Sequence, residues 1–162
     1  HDRCTVVEVM GRRAGYLALN AGIACGATSI LIPEVDFDIQ EHIIERMEKT
    51  QRTGKKHFII IVAEGVGVDV NDLAKEIEAK TGVESRACVL GHIQRGGSPS
   101  AKDRVLATRM GNYAVKLLMN NIGNRVVAAQ KEDVVDYDIF EALNMKKSID
   151  MNLYNVAHEV SI

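Results

Sequence analysis

Residues Phe58–Ala63 read FIIIVA, six apolar residues in a row with no polar alternation. A strand with one wetted face alternates, so an unbroken run of this length predicts a strand covered on both faces, at the centre of a sheet. Its neighbours repeat the theme. Thr5–Met10 (TVVEVM) is a β-branched run followed by Gly11-Arg12-Arg13 and then by a helix-favouring stretch, Ala14–Cys25, closed by Gly26. Ser29–Ile32 is a short buried-type strand ended by Pro33, and Asp38 with Glu41 forms a predicted capping box ahead of Ile39, Ile43, Ile44 and Met47, in a helix stopped by Gly54. Asn71–Lys80 is an amphipathic helix with Leu73 and Ile77 inward, and Arg86–Leu90 supplies a fourth strand. Strands alternating with helices in this way predict an α/β fold: a three-layer, Rossmann-like parallel sheet between two helical layers.

After Leu90 the pattern changes. Gly91–Pro99 (GHIQRGGSP) is a loop rich in glycine, and Ser100 with Asp103 caps a long helix to about Asn120. Its apolar face would be Val105, Leu106, Met110, Tyr113, Leu117 and Leu118, and left uncovered it would make the chain associate. Arg125–Gln130 and Val134–Tyr137 read as two short strands, and Ile139–Asn144 and Leu153–Val160 as short helices. The 162 residues carry 20 Lys+Arg and 22 Asp+Glu for a net charge of −2, so the chain as a whole attracts neither nucleic acid nor an anionic membrane. Any anion must be gripped locally. Cys4, Cys25 and Cys88 form no C-x-x-C pair, which argues against a disulfide framework or zinc site and for a cytoplasmic, reducing compartment. Cys25, Cys88, Met10 and Met110 are expected to pack rather than react, and His1 and His158, near the termini, receive no role. The lack of an initiator Met and the start at His1-Asp2-Arg3, directly before an apolar run, are expected of a piece of something longer.

In a parallel sheet, residues that follow strands gather on one edge and residues that precede them on the other. Arg12, Glu64, His92 and Arg95 all follow strands and should converge on the carboxyl edge, where open α/β sheets place ligands. Two guanidiniums, an imidazole and a carboxylate suit a phosphorylated polyhydroxyl compound, with Gly11 and Gly91 allowing close backbone approach. Glu64 serves equally well, on sequence alone, as the ion-pair partner of a neighbouring Arg. Gly26-Ala27-Thr28, Lys55-Lys56-His57 and Arg86 precede strands, forming a second candidate anion site suited to a regulatory ligand. Taken alone, Lys55–His57 reads as a solvated turn that complements a helix dipole.

VVEVMGR at Val6–Arg12, KKHFIIIVAEG at Lys55–Gly65 and RACVLGHIQRGGSPSAKDRVLATRMG at Arg86–Gly111 resemble bacterial ATP-dependent 6-phosphofructokinase. The resemblance covers the whole chain but only the C-terminal half of the usual enzyme. It implies transfer of the ATP γ-phosphoryl, with Mg2+, to the 1-hydroxyl of fructose 6-phosphate in a glycolytic homotetramer regulated by ADP or GDP and phosphoenolpyruvate. It further implies that Met10, Gly11, Arg12, Glu64, His92 and Arg95 contact the sugar phosphate in one subunit, with Arg12 also catalytic. Arg3 and Arg86 would reach the 6-phosphate bound to a neighbouring subunit. Gly26, Ala27, Thr28, Lys55, Lys56 and His57 would hold the effector. Thr28 stands where many relatives carry an acidic residue, and Thr53 where a basic one is usual. The implied organisation is a substrate- and effector-binding domain over 1–97, a long helix and hairpin belonging to the ATP-binding domain over 98–145, and a returning helix over 146–162. Neither a G-x-x-x-x-G-K-[ST] loop nor the family's Thr-Ile-Asp motif occurs, so ATP and Mg2+ would be held mainly by an N-terminal half, and the chain alone should be inactive. The alternatives are a pyrophosphate-dependent phosphofructokinase and a non-catalytic sugar-phosphate-binding paralogue.

Overall fold

The computed structural model describes residues 2–160; His1, given no role above, lies outside them. The chain divides into two compact units, one running to Arg95 and resuming at Ile149, the other Gly96–Ser148. In the first, β1 (Arg3–Val9), α1 (Tyr16–Cys25), β2 (Ser29–Leu31), α2 (Glu45–Arg52), β3 (His57–Ala63), α3 (Val70–Thr81), β4 (Glu84–Val89) and α6 (Met151–Val160) form a three-layer α/β fold. The sheet is wholly parallel, in the order β2-β3-β1-β4. The apolar run of β3 is explained by its two faces. Phe58, Ile60 and Val62 join Cys4, Val6, Met47, Leu73 and Ile77 in one core. Ile61 and Ala63 join Val9, Leu19, Ile30, Ile32, Tyr154 and Ala157 in the other. Each Val, Leu, Ile, Phe or Met side chain so withdrawn from water contributes roughly 1.5–3 kcal/mol, so β3 anchors both layers.

Several local expectations are corrected. The strand expected over Arg86–Leu90 begins at Glu84, which makes Arg86 its third residue rather than its opening one. The Asp38 cap is only half of a box. Its carboxylate accepts the Glu41 N–H at 2.9 Å, but the Asp38 N–H donates to His42 Nδ1 at 3.0 Å instead of to Glu41. A π-helical turn, Gln40–Ile44, precedes α2. Cys25 and Cys88 are exposed, against the expectation that they pack: Cys25 is the last residue of α1, and Cys88 lies on the edge strand.

In the second unit, α4 (Ala101–Met119) starts with the expected capping box of Ser100 and Asp103. It packs on the antiparallel hairpin of β5 (Arg125–Gln130) and β6 (Asp133–Asp138), which is followed by α5 (Ile139–Asn144). Tyr113 donates to Asp136 at 2.6 Å. Leu106, Met110, Tyr113 and Leu117 are half-buried, whereas Val105 and Leu118, expected on the same face, are exposed along with Met119.

α6 covers α1, and its His158 ring meets Tyr154 edge-on, with centroids 4.2 Å apart. Burial, then the nearby charges of Arg46 and His42, hold the His158 imidazole down at about 4. The unfolded imidazole titrates near 6.5, so between these values the unfolded chain binds more protons and folding weakens as pH falls. We expect the first unit to lose about 1–2 kcal/mol between pH 6.5 and 4 from this group, allowing for its partial solvent exposure. Urea midpoints across that range should show it, and His158→Gln should flatten the slope; an unaltered slope would mean that the imidazole is not the group responsible.

Candidate functional site

The carboxyl edge is built from three turns. The first leaves β1 at Val9 and enters α1 through Met10–Gly15, closed by the Ala14 N–H donating to Gly11 O at 3.0 Å. Arg12 sits in it with φ +53, a left-handed conformation that costs a non-glycine residue roughly 1 kcal/mol or more and persists only where the surroundings hold it. The second turn, Glu64–Val66, follows β3 directly. Glu64 Oε1 accepts the N–H of Gly11 at 3.0 Å and of Arg12 at 2.5 Å. The third, Gly91–Gln94, follows β4; the Leu90 N–H still donates to Glu8 O, and the Arg95 N–H closes the turn on His92 O.

Glu64 is the electrostatic centre of this edge. The two backbone N–H groups, Arg12 first and Gly11 second, hold its carboxyl below the ordinary glutamate value, with the charges of Arg95 and Arg12 adding to the effect. It is therefore an anion throughout the neutral range, and the clamp loosens only as pH falls through that depressed value. Sequence offered two readings of Glu64, ligand group or ion-pair partner. The structure gives a third: it fastens the backbone of the turn that carries Arg12. His92 and Arg95 are exposed on the neighbouring turn.

Arg3 and Arg86 lie elsewhere. Arg3 opens β1, a strand's length from Arg12, and Arg86 lies beside Thr5 on β4. Arg86 donates to Glu84 Oε1 through Nε at 2.9 Å and Nη2 at 2.6 Å, and Arg3 Nε stands 3.9 Å from Glu84 Oε2. Together with Cys4 and Thr5 they line a cleft of about 120 Å3. Of the remaining residues of the amino edge, Lys55 Nζ donates to Gly26 O at 3.4 Å, where Gly26 is the left-handed cap of α1, while Lys56 O accepts the Arg3 N–H at 3.0 Å and His57 pairs with Arg3 across the sheet. Lys56 and His57 are exposed, but Ala27 and Thr28 are buried. The Thr28 backbone N–H is spent on Ile59 O in the sheet.

Three residues of the carboxyl edge escaped sequence reasoning. Gln94 Oε1 accepts the Met10 N–H at 2.7 Å. Both carboxylate oxygens of Glu34 accept the Gly15 N–H, at 2.9 and 3.1 Å, where the start of α1 has no side-chain cap of its own. Gly65 lets the second turn touch the first, because a Cβ there would collide with the Arg12 carbonyl. Only Gln94 left a signal, its place between His92 and Arg95. Among the described residues no cluster of three His, Cys, Asp or Glu side chains is placed to hold a metal ion, and none of the helices is long and apolar enough to cross a membrane.

With this geometry in hand, the chain can be set beside known proteins. The family model described as Phosphofructokinase matches residues 1–118. ATP-dependent 6-phosphofructokinases of Bacillus velezensis and Bacillus subtilis are each 56% identical to it over 162 residues, which is 100% of this chain and 50% of theirs. The chain thus spans about half the length of the curated relatives it matches. The structure of phosphofructokinase from Saccharomyces cerevisiae matches with a TM-score of 0.81 at 34% identity, covering 100% of this chain and 23% of that one. A pyrophosphate-dependent phosphofructokinase from Marinobacter aquaeolei matches with a TM-score of 0.77, covering 92% and 42% of the two chains; at 24% identity this likeness concerns the fold alone.

Proposed function

The chain belongs to the phosphofructokinase family, and from that premise we propose that it supplies the acceptor-binding and regulatory half of an ATP-dependent 6-phosphofructokinase. Arg12, His92 and Arg95 grip fructose 6-phosphate at the carboxyl edge, with Met10 and Gly11 lending backbone and Glu64 holding the Arg12 turn and reaching the sugar hydroxyls. The observation that carries this reading is Glu64 itself, which ties the Arg12 turn to the end of β3 while Arg95 acts on its charge from the β4 turn.

The chemistry asked of these residues is positioning and charge neutralisation, the main demands of phosphoryl transfer. Arg12, always protonated, is placed to neutralise the charge developing as the phosphoryl group moves to the 1-hydroxyl; His92 and Arg95 orient the acceptor. The described residues do not fit a nucleotide–metal site of their own, lacking both a metal-ligand cluster and a G-x-x-x-x-G-K-[ST] loop. ATP and Mg2+ are therefore assigned to a companion half like the one the Bacillus relatives carry, and the chain without it is expected to be inactive. The 56% identity to ATP-dependent relatives supports ATP over pyrophosphate as donor.

We assign Arg3 and Arg86 to the 6-phosphate held by a neighbouring copy in a homotetramer, an assignment supported by their common cleft, exposed and remote from Arg12. Gly26, Lys55, Lys56 and His57 form the effector patch for ADP, GDP or phosphoenolpyruvate. Ala27 and Thr28, buried with both N–H groups spent inside the fold, support that patch from beneath. Within this assignment 1–97 is the substrate domain, 98–145 belongs with the ATP-binding half and 146–162 returns, in a glycolytic enzyme of the cytoplasm. The test is a titration of fructose 6-phosphate into the chain, for which saturable binding is expected.

A further inference from the structure

We infer that Gln94 is a positioning residue that couples the turn bearing His92 and Arg95 to the turn bearing Arg12; the inference rests on the function proposed above. The Arg12 turn hangs from the sheet by few bonds. Arg12 itself is in the left-handed region, so without restraint the turn would relax and its guanidinium would swing away. Glu64 restrains it from β3 through the N–H groups of Gly11 and Arg12, and Glu34 restrains the far end at Gly15. At the near end the Met10 N–H is taken by a residue of the β4 turn: Gln94 Oε1, at 2.7 Å and 84 residues away in sequence. Gln94 lies between His92 and Arg95, and that turn is closed by the Arg95 N–H on His92 O. Beyond the sheet bond from the Leu90 N–H to Glu8 O, this side-chain carbonyl ties together the two turns that carry the cationic groups of the site. The bond is exposed, so its loss leaves the Met10 N–H free to hydrate and should barely affect stability; what it should affect is geometry, to which phosphoryl transfer is sensitive.

Gln94→Leu removes the acceptor at similar bulk, and Gln94→Glu restores it. In the chain itself, amide hydrogen exchange over Met10–Arg12 should quicken several-fold in Gln94→Leu and return in Gln94→Glu, with the thermal midpoint unmoved. With the companion half present, Gln94→Leu should lower kcat roughly tenfold, and should lower it far less when Arg12 is already Ala, because the two act as a unit. Unchanged exchange at Met10–Arg12 overturns the inference. So does an undiminished effect of Gln94→Leu in the Arg12→Ala background, which would mean that Gln94 acts independently of Arg12. Should Arg12→Ala alone leave turnover intact, the proposed function fails instead, and the exchange result by itself decides the role of Gln94.

Discussion

Arg12→Ala, introduced with the companion half present, is expected to lower kcat about 100-fold or more, on the order of 3 kcal/mol of transition-state stabilisation, while KM for fructose 6-phosphate changes by less than about fivefold. The argument is one of charge and placement. Phosphoryl transfer leaves little covalent work for a protein, so a guanidinium held at the moving group contributes mostly in the transition state. The structure holds Arg12 in a left-handed backbone conformation secured by Glu64 and closed in by Gly65, an arrangement with no evident use in packing, because the side chain is exposed. Steady-state kinetics on both substrates decide the matter. A large rise in KM with kcat preserved would make Arg12 a ground-state binder, and unchanged turnover would remove it from the chemistry.

The second large effect is expected from Gly65→Ala. An added Cβ would collide with the Arg12 carbonyl and crowd the Arg13 Cα, which are backbone atoms unable to rotate aside as a side-chain tip could. One of the two turns must move. The steric cost to stability should be about 1–3 kcal/mol, but the greater loss should be in activity, on the order of 100-fold, because the displaced turn is the one carrying Arg12. Thermal unfolding and turnover measured on the same variant separate the two effects. Wild-type turnover in Gly65→Ala would show that the close approach does not set the catalytic geometry.

The fold was legible because its signals are local and redundant. FIIIVA can be satisfied only between two layers, and both layers are there: Phe58, Ile60 and Val62 face one, Ile61 and Ala63 the other. The edges of the sheet were legible for the same reason, since topology alone sorts Arg12, Glu64, His92 and Arg95 to one side. What sequence could not show was who bonds to whom. A carboxylate at a strand end can receive a sugar, a guanidinium or a backbone N–H, and Glu64 takes the last. Gln94 and Glu34 act on backbone N–H groups, and Gly65 makes room for a backbone carbonyl; such backbone partners carry no signature in residue type. Cys88 was misread because an apolar run suggests burial, while an edge strand exposes one face. The start of β4 was misplaced by two residues because Glu84 and Ser85 are poor strand formers, brought into the ladder by their pairing with Arg3 and Cys4.

Everything turns on whether the carboxyl edge takes a hexose monophosphate. The most direct measurement is a titration of fructose 6-phosphate into the chain, followed by the heat of binding, alongside the Arg95→Ala variant and with fructose as the control sugar. The account predicts a saturable change for fructose 6-phosphate, none for fructose, and marked weakening on loss of the Arg95 guanidinium. Absence of saturable binding, or binding indifferent to Arg95, would contradict it.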